Sequence, residues 1–145
     1  MTVFQILLRK GMYVHSVPPD TKVRQALERM ISLDIGALLV TQGGRLLGIF
    51  SEKGFARGVM CGSSGCFLDR PVADVMEWSV FTINPKQTVL DAMTLMTEKR
   101  VRHLPVLDDK GHVIGVLSIG DVVNALLKEQ AFLIQQLEAY IRGDS

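Results

Sequence analysis

The chain contains the same segment twice. Residues 14–40 align with residues 80–106 at an offset of 66, and Gly48–Ser51 aligns with Gly115–Ser118 at an offset of 67. Either copy alone would leave a sheet face uncovered, whereas two copies can bury those faces against each other. The repeat therefore predicts two similar halves that share one fold.

Each copy predicts the order strand–helix–strand–strand–helix, from its apolar spacing and its turn residues. In the first copy we expect strands at Val14–Val17, Ile35–Val40 and Leu46–Phe50, a helix capped by Asp20 or Thr21, and another opened by Ser51. In the second copy we expect strands at Val80–Ile83, Val101–Leu107 and Val113–Leu117, a helix capped by Thr88, and a closing helix from Ser118. This is an α/β (α+β) fold of two repeats in pseudo-two-fold symmetry.

Short helices precede each copy, one ending at Gly11 and one at residues 71–76. The last helix is predicted to run from Asp121 to about Ile141, well past the repeat. We therefore divide the chain into a first repeat with its N-terminal helix (1–65), a second repeat (66–128) and a C-terminal helical extension (129–145).

The last helix carries an apolar stripe that includes Leu126, Leu133, Leu137 and Tyr140. An exposed apolar stripe usually marks an interface, and the repeat leaves no segment to cover this one. We expect a homodimer, with packing back onto the same chain as the alternative.

Composition narrows the class of protein. The 145 residues are 48% hydrophobic and carry a formal net charge of +1, so no global field attracts nucleic acid or a membrane surface. No apolar run approaches the ~20 residues of a membrane span, and the N-terminus does not read as a signal peptide. We expect a cytoplasmic protein.

The reactive residues do not indicate an enzyme. His15, His103 and His112 are scattered, and no nucleophile–base pair, phosphate-binding glycine loop or metal set is evident. Cys61 and Cys66 are separated by four residues and could form a disulfide; we favour two free thiols in a reducing compartment.

Ser118–Asp121 carries the most informative chemistry. A strand runs into Ser118 and a helix starts there, so the first helical amides lack internal partners. The Asp121 carboxylate could complete a capping box with Ser118, or it could accept both hydroxyls of a ribose. In the first copy Gly54 stands where Asp121 stands in the second.

The stretch Val101–Asp108, followed by Gly115–Asp121, resembles a tandem pair of cystathionine-β-synthase (CBS) domains, called a Bateman module. The resemblance spans roughly residues 12–128. It implies a regulatory module that binds an adenine nucleotide (AMP, ADP, ATP or NAD) as its ligand, uses no catalytic cofactor, and signals to a regulated protein that the sequence does not identify. The alternative is a dimeric scaffold with a structural nucleotide or none.

The resemblance also implies which residues hold the ligand. One cleft would join Ser118 and Asp121 to Val14, His15, Ile35, Gly36 and Ala37, with Arg102 and His103 as candidates for binding phosphate. A second, weaker cleft would use Ser51, Phe81 and Val101. Because Gly54 offers no carboxylate, the second cleft lacks the charged ribose acceptor.

Overall fold

In a computed structural model the protein is described over residues 1–61 and 67–143. Its helices and strands, in chain order, are α1 (Val3–Lys10), β1 (Ser16–Val17), α2 (Val23–Leu33), β2 (Ala37–Gln42), β3 (Arg45–Ser51), α3 (Glu52–Cys61), α4 (Val89–Lys99), β4 (His103–Leu107), β5 (Val113–Ser118) and α5 (Ile119–Ile141), with short 3₁₀ turns at Phe67–Asp69 and Val72–Asp74. The mixed α/β fold and the long C-terminal helix are confirmed. The prediction for the two thiols falls on the Cys61 side chain and on Cys66, which lie outside the described residues.

The chain divides into two compact units. The first-repeat unit comprises Tyr13–Phe81 with Lys110–Val113, and the second-repeat unit comprises Met1–Met12, Thr82–Asp109 and the chain from Ile114 onward. Helix α1 thus packs in the second-repeat unit, whereas the boundary drawn at residue 65 grouped it with the first repeat. Its residues Val3 and Leu7 are fully buried there.

The first-repeat unit is built on a three-stranded sheet in the order β1-β2-β3. Strand β1 pairs in parallel with β2, and β2 forms an antiparallel hairpin with β3. The hairpin turns at Gly43 and Gly44, whose φ angles of +58° and +79° favour glycine. Phe50, Leu38 and Val40 of this sheet are essentially inaccessible to solvent and form the core with α2.

The second-repeat unit has a β4-β5 hairpin and a core formed with α1, α4 and α5. The strand predicted at Val80–Ile83 is wrong except at one residue. Ile83 forms a single parallel bridge with Val106, donating to the Pro105 carbonyl and accepting from the Leu107 amide, each at 3.0 Å. The pairing does not extend from this bridge in either direction. On the N-terminal side the Val80 amide donates to the Trp78 carbonyl at 3.1 Å, and on the C-terminal side Pro85, two residues after Ile83, has no N–H to donate.

Two strands start later than the sequence predicts, for the same reason in both repeats. Asp34 and Arg100 end helices α2 and α4 in the left-handed conformation, with φ of 53° and 56°. The next residues, Ile35 and Val101, still donate to helix carbonyls, those of Met30 at 3.0 Å and Met96 at 3.1 Å. These apolar residues complete helix ends rather than opening strands.

Two further boundaries need correction. Strand β1 is only Ser16–Val17, although the His15 carbonyl still accepts from the Leu39 amide at 3.1 Å. Neither Asp20 nor Thr21 caps α2; its N-cap is Lys22, whose amide donates to Gln25 Oε1 at 3.3 Å. The predicted Thr88 cap on α4 is confirmed, because the Thr88 hydroxyl accepts from the Asp91 amide at 3.1 Å.

Candidate functional site

The junction between β5 and α5 holds the residues with the clearest chemistry. The Ser118 hydroxyl accepts from the Asp121 amide at 3.2 Å, and Asp121 Oδ2 accepts from the Ser118 amide at 2.9 Å. Both halves of a capping box are therefore formed. The capping interpretation of this motif is confirmed, and it fixes the Asp121 carboxylate beside the first turn of α5.

A lysine from the N-terminal helix contacts the same carboxylate. Lys10 Nζ lies 2.6 Å from Asp121 Oδ2 and donates to the Val116 carbonyl at 2.8 Å. The side chains of Lys10 and Asp121 keep 34% and 22% of their surface exposed. The ion pair is thus partly shielded from water but open to a solute.

A glycine in β5 allows α1 to come this close. A Cβ on Gly115 would lie 2.8 Å from Leu7 Cδ2, so only a residue without a side chain leaves room for the buried Leu7. Lys10 lies one turn of helix beyond Leu7, which brings its ammonium over the end of β5. Sequence reasoning missed Lys10. A glycine inside a predicted strand, Gly115, is a signal that could have pointed to a close backbone approach, but not to the element that makes it.

The pKa of Asp121 is lowered. Burial alone would raise it, but the hydrogen bonds and charge of Lys10 and the bonds from Ser118 together outweigh the burial. The carboxylate is therefore ionised at neutral pH. Its contribution to folding stability is present above the ordinary aspartate pKa of about 3.9 and is lost as the pH falls through the lower folded value.

Other predicted residues of the second-repeat unit lie near this junction. The Arg102 carbonyl accepts from the Ile119 amide at 2.8 Å, so the backbone just before β4 is tied to the first residue of α5. The Arg102 side chain is exposed, while His103, at the start of β4, and Val101 are half-buried. The structure thus brings the Val101–His103 backbone together with Ser118.

The first-repeat unit repeats this backbone arrangement. The Gly36 carbonyl accepts from the Glu52 amide at 3.2 Å, in the position that Arg102 and Ile119 occupy in the other unit. Ala37 begins β2, and half-buried Ile35 and Gly36 precede it. The His15 ring stacks on Tyr13 with ring centroids 6.5 Å apart. Val14 lies between these two residues in sequence, and it and Phe81 are both partly exposed.

The capping motif is only half present in the first-repeat unit. The Ser51 hydroxyl accepts from the Gly54 amide at 3.3 Å, but Gly54 has no side chain to return a bond. A Cβ on Gly54 would meet only ordinary contacts, the nearest being the Val75 carbonyl at 3.8 Å. The position thus has space for a Cβ, but as a glycine it supplies no acceptor.

Comparison with known proteins identifies the repeat. The sequence model of the CBS domain matches residues 7–60 and again residues 72–128. The chain belongs to the CBS-domain family. Its two matches correspond to the two copies in the sequence, and the resemblance predicted from Val101–Asp108 and Gly115–Asp121 is confirmed.

Individual relatives agree with this assignment. The chain is 40% identical over 129 residues to the mitochondrial CBS domain-containing protein CBSX3 of Arabidopsis thaliana, covering 86% of this chain and 62% of that protein's length. It resembles the solved CBS-domain protein of Agrobacterium tumefaciens, with TM-score 0.82, 36% identity, and 86% and 98% of the two chains covered. It also resembles CBSX2, solved in complex with AMP, with TM-score 0.72, 27% identity, and 89% and 98% covered.

Residues 1–61 and 67–143 contain neither a clustered set of metal ligands nor a helix that could span a membrane. Within these ranges no group of three or more His, Cys, Asp or Glu residues is placed to hold a metal ion. Among the helices of the same ranges, none combines the length and the apolar character that crossing a membrane requires. The cytoplasmic location stays a prediction, since the Arabidopsis relative is described as mitochondrial.

Proposed function

We propose that this CBS-domain protein binds an adenosine nucleotide and that Asp121 accepts the hydroxyl groups of its ribose. The observation that carries the proposal is the ionised, partly exposed Asp121 carboxylate at the start of α5. An ionised carboxylate at the positive end of a helix is a fixed, charge-assisted acceptor for the hydroxyl groups of a sugar. The AMP complex of the related CBSX2 supports adenosine as the ligand class.

The other predicted residues receive roles within the same proposal. Arg102 and His103 are candidates for the phosphate, because a guanidinium matches phosphate oxygens and an imidazole adds a donor. Val14, His15, Ile35, Gly36 and Ala37 are candidates for contacts with the adenine. Ser51, Phe81 and Val101 would form a weaker site, since Gly54 supplies no charged acceptor.

We propose that the nucleotide regulates rather than reacts. The two CBS matches account for residues 7–60 and 72–128, and the family resemblance implies a sensor that transmits ligand state by a shift in conformational population. The regulated protein is not identified by the sequence or the comparisons. AMP, ADP, ATP and NAD share the adenosine group, so the ligand is assigned only to that class.

We also propose that the chain forms a homodimer through the end of α5. Phe132, Leu133, Ile134 and Leu137 are each more than half exposed on this helix. A second copy would remove this apolar surface from water.

Light scattering on the purified protein should give the mass of two chains, and replacing Leu137 with Lys should shift the measured mass toward that of one chain. A monomer at micromolar concentration would contradict self-association.

Thermal unfolding with and without nucleotide tests the binding proposal. A ligand that binds only the folded protein stabilises it by about 2.7 kcal/mol at a concentration one hundred times its Kd. We expect the midpoint to rise with AMP, ATP or NAD at millimolar concentration and not with inorganic phosphate. A midpoint that none of the three nucleotides moves would favour the scaffold alternative.

A further inference from the structure

The ion pair between Lys10 and Asp121 occupies the atom that a ribose would need. Asp121 Oδ2 already accepts two hydrogen bonds, from the Ser118 amide at 2.9 Å and from Lys10 Nζ at 2.6 Å. Two adjacent ribose hydroxyls are best bound by both oxygens of a carboxylate, one hydroxyl to each. With both donors in place, only Oδ1 is open to such a diol.

Of the two donors, only Lys10 can leave without disturbing the fold. The Ser118 amide belongs to the helix cap and is fixed by the backbone of α5. Lys10 lies in the last turn of α1 on a flexible four-carbon stem, and a third of its side chain is exposed. Its ammonium can keep the Val116 carbonyl, 2.8 Å away, after it releases the carboxylate.

Displacing Lys10 has different consequences for charged and uncharged ligands. A nucleoside would break the ion pair and leave the ammonium without an anion. A nucleotide would break the same pair, but its phosphate offers the released ammonium a new anion, and opposite charges attract strongly at a partly shielded site. The lysine therefore penalises adenosine more than it penalises AMP.

We propose that Lys10 is a specificity residue that makes the Asp121 site select phosphorylated ligands over nucleosides by competing with ribose for the carboxylate. The inference depends on the proposed function, because it assumes that Asp121 binds the sugar. Helix α1 lies outside the capping motif, yet through Lys10 it would contribute directly to ligand specificity.

Substituting Lys10→Met tests the proposal, because methionine keeps much of the apolar stem and removes the charge. We expect calorimetry to show adenosine binding up to about fivefold more tightly, the upper end of the range for an exposed ion pair. AMP should bind no more tightly than to the wild type, so the preference for AMP over adenosine should shrink. Lys10→Arg, which keeps a cation, should retain the wild-type preference.

Two controls separate this effect from general electrostatics. Arg9→Met removes one positive charge from the same turn of α1 without touching a residue of the Asp121 cluster, and it should leave adenosine affinity unchanged. The Lys10→Met gain should also disappear with 2′,3′-dideoxyadenosine, which lacks both hydroxyls.

The outcomes distinguish the two proposals. Suppose that the wild-type protein binds AMP but Lys10→Met binds adenosine no more tightly than the wild type does. The selection role is then overturned and nucleotide binding stands. The same conclusion follows if the substitution raises the affinity for the dideoxynucleoside as much as the affinity for adenosine. If the wild type binds neither AMP, ATP nor NAD, both proposals fall. Thermal unfolding of each variant confirms that it is folded before the titrations are compared.

Discussion

Replacing Asp121 with Asn should weaken AMP binding by at least about tenfold. Asparagine keeps the shape of the side chain and one acceptor oxygen but loses the negative charge. Hydrogen bonds to charged groups contribute about 1.5–3 kcal/mol each, and about 1.4 kcal/mol corresponds to a factor of ten in affinity. Calorimetric titration of AMP into the wild type and the variant measures the difference directly.

Helix α4 supplies a matched control for this substitution. Asp91 occupies the same capping-box position as Asp121, and its Oδ2 accepts from the Thr88 amide at 3.0 Å. Asp91→Asn should weaken a helix cap to a similar extent, with a loss of no more than about 2 kcal/mol in folding stability. The affinity for AMP should stay unchanged. Equal losses of AMP affinity in both variants would mean that Asp121 acts only through the fold.

Replacing Gly48 with Ala should have the largest effect on stability. A Cβ at this position would lie 2.6 Å from the Glu77 carbonyl oxygen and equally close to Met76 Sδ. That carbonyl cannot simply rotate away, because the backbones of Ile49 and Glu77 exchange hydrogen bonds of 3.1 and 2.9 Å. We expect a loss of about 1–3 kcal/mol in the free energy of unfolding, the usual range for overpacking a core.

Gly54→Ala is the control for this prediction. The position lies in α3, and a Cβ there meets nothing closer than 3.8 Å. Alanine should stabilise the helix by up to about 1 kcal/mol, because glycine is a poor helix former. Urea unfolding of both variants gives the two values. A Gly48→Ala protein as stable as the wild type would show that the first-repeat unit tolerates a wider separation of β3 from the segment carrying Glu77.

Much of the fold could be predicted because the repeat shows each element twice. The alternation of apolar runs and glycine turns located β2, β3, β4 and β5 to within two residues. The errors at Ile35 and Val101 share one cause: an apolar residue after a left-handed helix end looks like the start of a strand in sequence. Asp34 and Arg100 gave no warning, since neither is the glycine that usually takes this conformation.

The candidate site was only partly predictable. Ser118 and Asp121 are three residues apart, so local spacing was enough to indicate a capping box. The contact between Lys10 and Asp121 joins residues 111 positions apart, and no local pattern connects them. It depends on the packing of α1 across Gly115, and the sequence instead suggested that α1 belongs with the repeat that follows it.

The central claim is that the ribose of AMP binds tightly only where a carboxylate stands at the helix start. The most direct test is the number of AMP molecules that each chain binds tightly. Calorimetry should give one tight site for the wild type, and a second tight site should appear in Gly54→Asp, where a Cβ would meet nothing closer than 3.8 Å. Two equivalent sites in the wild type, or one site that persists unchanged in Asp121→Asn, would contradict the assignment of the ribose to Asp121.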